Sequence, residues 1–409
     1  MRSHWTVSRR ALFAVAAVAP LFACEPDAGP SRLTAPLVAS RSPAPPEALL
    51  SPAWQAIEAN LVAQGSLAAV VSTRAYSLLG VAQYLAVQQA EGRGRNRHAS
   101  DGGAVAGASV VVLSYLFPLQ AQALEDTVKA QRGAGPGFAR GEVIGRAVGA
   151  AIVTRAQGDG FSTPFSGTIP VGAGFWVSNT TPATVAGGPL PGVRPWFLES
   201  ARQFRPGPPP AFGSPDFLAG LAEIQHISDT RTAEQIEIAT SWAQGAGTPT
   251  TAGFWLQIAT DGIHSHRWSE REATHLYALL GASMFDAQIG CWDAKETYWL
   301  IRPWQAAPGI AVVAAVGKPN HPSYPSGHSC ISSSAAAVLS AFFPEQRRAL
   351  SAMVTEAGLS RMYGGIHYRF DIEAGQRLGR SVARFAMRAD RSGHSVLTPD
   401  NDEERHGGR

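Results

Sequence analysis

The spacing of apolar residues most constrains the fold of this 409-residue chain. Residues 51–95 and 104–157 are rich in Ala, Val and Leu at the three- and four-residue intervals of an α-helix. The strict apolar–polar alternation of a half-buried strand is rare. The sequence therefore predicts an all-α fold, built as helical bundles. Further helical patterns follow at 215–258, 268–301, 327–343, 344–358 and 367–389.

The charge balance argues against a partner that is a nucleic acid. Charged residues make up 16% of the chain, and its formal net charge is +3. Residues 1–23 hold three arginines and no acid, so the remainder balances at 31 basic (34 minus 3) against 31 acidic residues. No basic field is left to attract a polyanion. The expected partners are small-molecule substrates.

Residues 1–23 have the layout of an export signal, because two arginines precede an apolar run that is too short to span a bilayer. The stretch Leu21-Phe22-Ala23-Cys24 resembles a lipoprotein cleavage box, with the lipid on Cys24, and the paired arginines also resemble a twin-arginine signal. An ordinary secretory peptide is the alternative. We expect an exported protein, secreted or held at the periplasmic face of a bacterial membrane through its lipid anchor alone.

The rest of the chain divides by composition. Residues 24–50 are rich in Pro, Ala and Ser and are expected to form a flexible tether. One helical catalytic domain is predicted over residues 51–391, with its motifs in 292–371, and a polar, disordered tail over 392–409. Residues 158–212 are rich in Gly, Pro, Thr and Ser, and a long irregular segment of this kind inside a domain is often a functional rim.

A first motif reads Lys-Glu-Thr-Tyr-Trp-Leu-Ile-Arg-Pro and starts at Lys295. Seven residues are two helical turns to within about 20°. Lys295 and Arg302 are therefore expected on one helical face, with Pro303 ending the helix. A point charge and a fork-shaped guanidinium on one line suit an anion with several oxygens. Taken alone, such a pair is also typical of a solvated face.

A second motif, Pro325-Ser326-Gly327-His328, precedes a helix of small residues. Ser326 is suited to cap this helix, and Gly327 lets the backbone approach a ligand closely. The N–H groups and positive dipole end of the helix would face that ligand, with His328 beside it as an acid or base. The alternative for this segment alone is a capped helix with a surface histidine.

A third motif holds Arg361, His367 and Asp371. A Gly-Gly pair between the first two interrupts the backbone, which lets Arg361 and His367 converge from a turn. His367 and Asp371 are four residues apart, the spacing of one helical face. A carboxylate there would fix the tautomer of the imidazole and raise its basicity.

In chain order the motifs spell Lys-x6-Arg-Pro, Pro-Ser-Gly-His and Ser-Arg-x5-His-x3-Asp. This signature resembles that of the superfamily of type 2 phosphatidic acid phosphatases and vanadium-dependent haloperoxidases. The resemblance implies helical bundles packed around one pocket for a tetrahedral oxyanion, phosphate or vanadate. It also implies that the equatorial oxygens are bound by Lys295, Arg302, Ser326, Gly327 and Arg361.

Two chemistries share this pocket in the superfamily. By resemblance, a phosphatase would use His367 as its nucleophile, His328 to protonate the leaving group and Asp371 to orient His367, without a cofactor. A haloperoxidase would hold vanadate as its cofactor, with His367 as the single protein ligand of the metal. His328 would then accept a proton from hydrogen peroxide, and Lys295 would hydrogen-bond the peroxide.

Two residues near the motifs bear on the choice between phosphatase and haloperoxidase chemistry. Trp292 resembles the tryptophan that haloperoxidases carry near the halide, and His321 stands where bromoperoxidases tend to have His and chloroperoxidases Phe. Ordinary helix packing and a plain loop position are the alternatives for these two residues. The helical N-terminal half and the stretch Phe204-Arg-Pro-Gly-Pro-Pro-Pro are also similar to the bacterial haloperoxidase-like branch.

The resemblance therefore favours a vanadate-dependent haloperoxidase acting on hydrogen peroxide and on bromide or iodide rather than chloride. The main alternative is an exported acid phosphatase that hydrolyses a phosphomonoester. A lipoprotein that binds the oxyanion without turnover is the third hypothesis. The halide, the organic acceptor and the oligomeric state do not follow from the sequence.

Two cysteines and one Asp/His cluster have the residue types of a disulfide and of a metal site. Cys291 and Cys330 flank the first two motifs and are predicted to be close, either as a disulfide or as two buried thiols. Asp261, His264 and His266 have the residue types of a metal site, but no further ligand stands at helical spacing. A loop with exposed histidines is the favoured interpretation of that segment.

Overall fold

The computed structural model of the protein describes residues 49–92, 98–133, 137–393 and 395–398. Within these ranges the chain is helical, without a β-strand, as predicted. The predicted export signal, Cys24 and all but the end of the tether lie outside the described residues. The α-helices are α1 Leu50–Gln64, α2 Ala69–Glu91, α3 Asp101–Leu116, α4 Ala121–Gln131, α5 Phe138–Gln157, α6 Pro215–Thr230, α7 Ala233–Ser241, α8 Thr250–His266, α9 Glu270–Tyr298, α10 Pro303–Ala306, α11 Gly327–Phe342, α12 Arg347–Tyr363 and α13 Arg369–Arg391.

Helix α9 is the central element of the fold. It begins with a capping box between Ser269 and Glu272, and its residues from Ala273 to Lys295 are almost all buried. A helix buried on every face needs neighbours all round, and α9 packs against α2, α11 and α13. Its C-terminal end, which carries the first motif, is thereby held inside the protein.

A close contact between α11 and α13 sets the second and third motifs side by side. A Cβ atom at Gly379 would lie 2.2 Å from the carbonyl oxygen of Cys330, and one at Gly375 would lie 2.7 Å from that of Ser326. Only glycine permits this approach of the two backbones. The start of α11 is therefore fixed against the first half of α13.

The irregular segment 158–212 is fastened to α9 by one buried carboxylate. Asp286, which is fully buried, accepts hydrogen bonds from the backbone N–H groups of Trp196, Phe197 and Leu198 at 2.7–3.1 Å. Burial raises the pKa of Asp286 to about 6. The segment is thus anchored in the middle of the core, although it contains no α-helix of its own.

Several predicted boundaries are corrected by the structure. The pattern at 215–258 covers α6, α7 and the first half of α8, and α9 ends at Tyr298 because Trp299 adopts a left-handed conformation with φ of 48°. Leu300 then pairs with Phe175 in a single antiparallel bridge. Inside the predicted disordered tail, Leu397 is buried against the core.

The structure also shows the state of the two cysteines and of the Asp/His cluster. Cys291 and Cys330 are free, buried thiols rather than a disulfide. Asp261, His264 and His266 lie on the last turns of α8, so the predicted loop is wrong, and the described residues contain no His, Cys, Asp or Glu cluster able to hold a metal ion. None of the described helices is long and apolar enough to cross a membrane.

Candidate active site

The three motifs meet at the end of α9, where Arg302 joins two histidines. One terminal nitrogen of its guanidinium lies 3.0 Å from His367 Nε2, and the other lies 3.0 Å from His321 Nδ1. Arg302 is fully buried, and it also donates to the carbonyl oxygens of His321 and Ile366. Arg302 therefore fixes both rings, although it follows α9 rather than lying on the helical face shared with Lys295 that the spacing predicted.

The hydrogen bonds around His367 define its tautomer. Arginine can only donate, so His367 Nε2 must accept from Arg302, and the proton of the neutral ring is on Nδ1. Nδ1 donates to Asp371 Oδ2 at 2.8 Å. Burial, followed by the charges of Arg302 and Lys295, lowers the pKa of His367 well below its usual value. A neutral imidazole with a lone pair on Nε2 can act as a nucleophile or as a metal ligand once Arg302 releases that atom.

Asp371 is held as tightly as the ring that it orients. Its Oδ2 atom also accepts from Ser323 Oγ at 2.6 Å and from the Tyr368 N–H at 3.1 Å. Burial raises the pKa of Asp371 to about 6, and the Ser323 hydrogen bond opposes that rise. The group is thus ionised at neutral pH. Contrary to the predicted helical pair, His367 precedes α13, which begins at Arg369.

Lys295 is fully buried, and its ammonium group is hydrogen-bonded to backbone carbonyls. Its Nζ atom donates to the carbonyl oxygens of Pro322, Ser323 and Pro325 at 2.7–2.9 Å. Burial lowers the pKa of Lys295 to about 8. The side chain therefore shapes the loop that leads into α11, and its charge lies behind this loop.

Arg361 approaches the site from the end of α12. It is 1% exposed, and it donates hydrogen bonds to Ser360 Oγ at 2.9 Å and to the Ala239 carbonyl at 3.0 Å, neither of which is charged. Burial lowers the pKa of Arg361 to about 9. Among the described residues, three buried cations, Lys295, Arg302 and Arg361, thus surround a site to which Asp371 contributes a buried carboxylate. A multiply charged anion would balance this excess.

The start of α11 supplies uncharged donors to the same place. Ser326 Oγ caps the helix by accepting from the Ser329 N–H at 3.3 Å, as predicted. The first N–H groups of the helix, on Gly327 and His328, have no carbonyl acceptor within the helix. Together with the positive end of the helix dipole they favour a bound anion.

His328 is positioned by two residues that the sequence motifs did not reveal. Its Nε2 atom lies 2.9 Å from the Trp242 carbonyl and 3.1 Å from Thr251 Oγ1. A carbonyl oxygen only accepts, so Nε2 carries the proton and Nδ1 keeps its lone pair. Burial, followed by the charge of Arg361, lowers the pKa of His328 well below its usual value. His328 is therefore poised to accept a proton at Nδ1.

Trp292 and His321 form one wall of the site. Their ring centroids are 5.0 Å apart, and the Trp292 indole N–H donates to the Ala186 carbonyl at 2.8 Å. A Cβ atom on Gly327 would lie 3.5 Å from the indole ring. Since His321 Nδ1 accepts from Arg302, His321 Nε2 carries the proton. The structure thus brings both predicted wall residues to the start of α11.

Comparison with known proteins agrees with this arrangement. Residues 275–393 match the model of the PAP2 superfamily. A non-specific acid phosphatase of Providencia stuartii is 30% identical over 171 residues, which are 41% of this chain and 66% of that protein. The chain therefore spans just under two thirds of the length of this relative.

Solved structures show the same fold over most of the chain. A bacterial vanadium-dependent iodoperoxidase is similar with a TM-score of 0.73 and 22% identity, covering 82% of this chain and 95% of that one. A bacterial vanadium-dependent chloroperoxidase in its holo form gives 0.63 and 13%, covering 82% and 94%. The helical fold of the PAP2 and vanadium haloperoxidase proteins thus extends beyond the residues that the family model matches.

Proposed function

We propose that the protein is a vanadate-dependent haloperoxidase that oxidises bromide or iodide with hydrogen peroxide. The observation that carries this proposal is the wall of Trp292 and His321 beside a site with excess buried positive charge. A polarisable indole and an imidazole N–H suit a large, soft halide. The similarity of fold to haloperoxidases over 82% of the chain supports the same choice.

The residues present fit vanadate. The Nε2 lone pair of His367 would bind the metal, since Asp371 holds the proton at Nδ1. Arg302, Arg361 and the N–H of Gly327 would hold the oxygens, and Arg302 would exchange its contact with His367 for one of them. When bound, vanadate supplies the Lewis acid that activates hydrogen peroxide toward halide without a change of oxidation state.

The side chains around the anion would supply the proton transfers and the halide site. His328 would take a proton from incoming hydrogen peroxide at Nδ1, because Trp242 and Thr251 occupy Nε2. His321 would donate from Nε2 to the halide and hold it against Trp292. Lys295 would act through its positive charge and through the loop that it fixes, since its three protons are already donated to carbonyls.

Phosphomonoester hydrolysis is the second candidate, favoured by the match to the Providencia stuartii acid phosphatase. In that reaction His367 Nε2 would attack phosphorus and displace the alcohol, and His328 would pass to the alcohol at Nδ1 the proton that it takes from the monoanion of the phosphate ester. Water would then release phosphate from His367. The same three buried cations would stabilise the transition state.

The two functions are separated by assaying one preparation twice. The protein is loaded with orthovanadate and tested for peroxide-dependent bromination and iodination, and without vanadate it is tested for hydrolysis of an aryl phosphate. We expect halogenation that requires vanadate and is lost in His367→Ala. His321→Phe serves as the matched variant, since it keeps a ring against Trp292 and should lower bromination more than vanadate binding. Hydrolysis without halogenation would refute the proposal, and vanadate binding without either activity would favour a binding protein.

We also propose that the protein is an exported lipoprotein with its lipid on Cys24. The N-terminal sequence supports this, since basic residues, an apolar run and Cys24 follow one another. Mass spectrometry of the protein purified from a bacterial membrane fraction should find a lipid-modified Cys24 at the new N-terminus. A Cys24→Ser variant that fractionates with the membrane as before would contradict the anchor.

A further inference from the structure

A second cavity lies between the irregular segment and α9, apart from the anion site. Its volume is about 260 Å³, and loop residues between 160 and 192 form most of its lining, together with Glu296 of α9. None of the residues assigned to the oxyanion contributes to that lining. Drug-sized ligands occupy pockets of roughly 300–1,000 Å³, so this cavity suits a smaller molecule.

Glu296 is the one titratable residue in the lining of this cavity. Its Oε1 atom is buried without a hydrogen-bond partner in the described part of the chain. Burial, followed by the negative charge of Asp293, raises the pKa of Glu296 to about 8. Asp293 itself is paired with Arg205 through two contacts of 2.6 and 2.7 Å. The Glu296 carboxyl is therefore mostly protonated at neutral pH, and a cation bound beside it would favour the ionised form.

An aromatic ring faces the same cavity. Phe165 lines it and packs edge-to-face on Trp299, with ring centroids 6.2 Å apart. A Cβ atom on Gly167 or Gly188 would lie 2.7–2.8 Å from the Phe165 ring. Glycine at these two positions therefore leaves the space that the ring occupies. A carboxylate beside an aromatic ring is the combination that binds organic ammonium groups.

We propose that this cavity binds a small organic cation, with its ammonium group at Glu296 and its apolar part on Phe165. The cavity shares a wall with the candidate active site. Gly187 precedes the lining residue Gly188, and a Cβ atom on Gly187 would lie 2.2 Å from Nε1 of Trp292. A ligand in the cavity therefore lies behind the loop that supports the indole. The proposal stands independently of the reaction catalysed at the oxyanion.

Calorimetric titration of the intact protein with phenyltrimethylammonium tests the proposal. The charge of this probe does not titrate, so binding can be measured at about pH 9, where the Glu296 carboxyl is ionised. We expect saturable binding of one equivalent, and binding at least about tenfold weaker in Glu296→Gln. Benzyl alcohol, a neutral aromatic molecule, should also bind at least about tenfold more weakly.

Two further variants keep the result interpretable. Gly192 lines the cavity and a Cβ there meets no atom within 4 Å, so Gly192→Leu should narrow the cavity without a clash and weaken binding. Glu373→Gln changes an exposed carboxylate on α13 and should leave binding unchanged. Vanadate affinity, measured in the same preparations, reports whether each variant is folded. Equal affinity of Glu296→Gln and the parent, or equal binding of benzyl alcohol, would overturn the proposal.

Discussion

Replacing Arg361 with methionine is expected to leave the anion-free protein at least as stable as the parent and to remove most of its stabilisation by vanadate or phosphate. Arg361 is 1% exposed, and its hydrogen-bond partners are an uncharged hydroxyl and an uncharged carbonyl. The guanidinium is therefore a buried charge without a charged partner among these contacts, which a bound anion would supply. Methionine retains much of the apolar stem and fills irregular gaps well.

The magnitude follows from the pKa of Arg361. Its lowering by burial to about 9 corresponds to a cost of about 5 kcal/mol for the charged form in the folded protein. The two hydrogen bonds that methionine loses are worth roughly 1.5–3 kcal/mol each. The free energy of unfolding without anion should therefore change little or rise by up to about 2 kcal/mol. Removing one partner of a balanced buried ion pair would instead cost about 3–5 kcal/mol.

Urea unfolding followed by circular dichroism measures both the free energy of unfolding without anion and its increase with vanadate. At a vanadate concentration about 100 times the dissociation constant, the parent should gain about 2.7 kcal/mol. Loss of a charged donor should weaken vanadate binding roughly a hundredfold, so the variant should gain less than about 1 kcal/mol at the same concentration.

A variant that loses several kcal/mol without anion would show that Arg361 is already balanced in the folded protein. A variant that keeps the full gain with vanadate would show that the guanidinium does not face the anion. Phosphate serves as the control ligand, because both oxyanions present the same tetrahedral oxygens. Either outcome would refute the interpretation of the site as an excess of buried positive charge.

Three other changes have expected outcomes. Asp371→Asn should lower kcat roughly 10³–10⁴-fold, because an amide does not hold the proton of His367 at Nδ1, and steady-state halogenation rates check this. Thr251→Val removes one of the two contacts at His328 Nε2 and should shift the acid limb of the pH–rate profile while vanadate affinity stays unchanged. Glu58 is fully buried, and burial raises its pKa well above its usual value. Its contribution to stability is therefore present at acidic pH and lost as pH rises, so Glu58→Gln should unfold like the parent near pH 4 and at a higher temperature near pH 7.

Local patterns in the sequence predicted the local parts of the structure. Helical spacing predicted the all-α fold because most helices bury an apolar face, and the Ser326 cap is present where the motif placed it. The contact of His367 with Asp371 was also predicted, although it spans the start of α13 rather than one helical face. The predicted helical line from Lys295 to Arg302 is wrong, since Trp299 turns the backbone before Arg302.

Contacts between distant segments could not be predicted in this way. Thr251 and Trp242 reach His328 from α8 and from the end of α7, and no motif marks a carbonyl oxygen as a partner. The oxygen atoms that bind Lys295 belong to the backbone, whose position depends on the packing of the whole loop. The Glu296 cavity likewise depends on how residues 160–192 fold over α9.

The three carbonyls around Lys295 have a mechanical consequence. An anion that accepts a hydrogen bond from the Lys295 ammonium group must displace the carbonyl of Pro322, Ser323 or Pro325. That carbonyl belongs to the loop that leads directly into Ser326 and α11. Anion binding and the conformation of this loop are therefore linked through a single atom, Lys295 Nζ. Lysine adds little net affinity in such an exchange, because each hydrogen bond to the anion replaces one to a carbonyl; its contribution is to couple anion binding to the position of the loop that leads into α11.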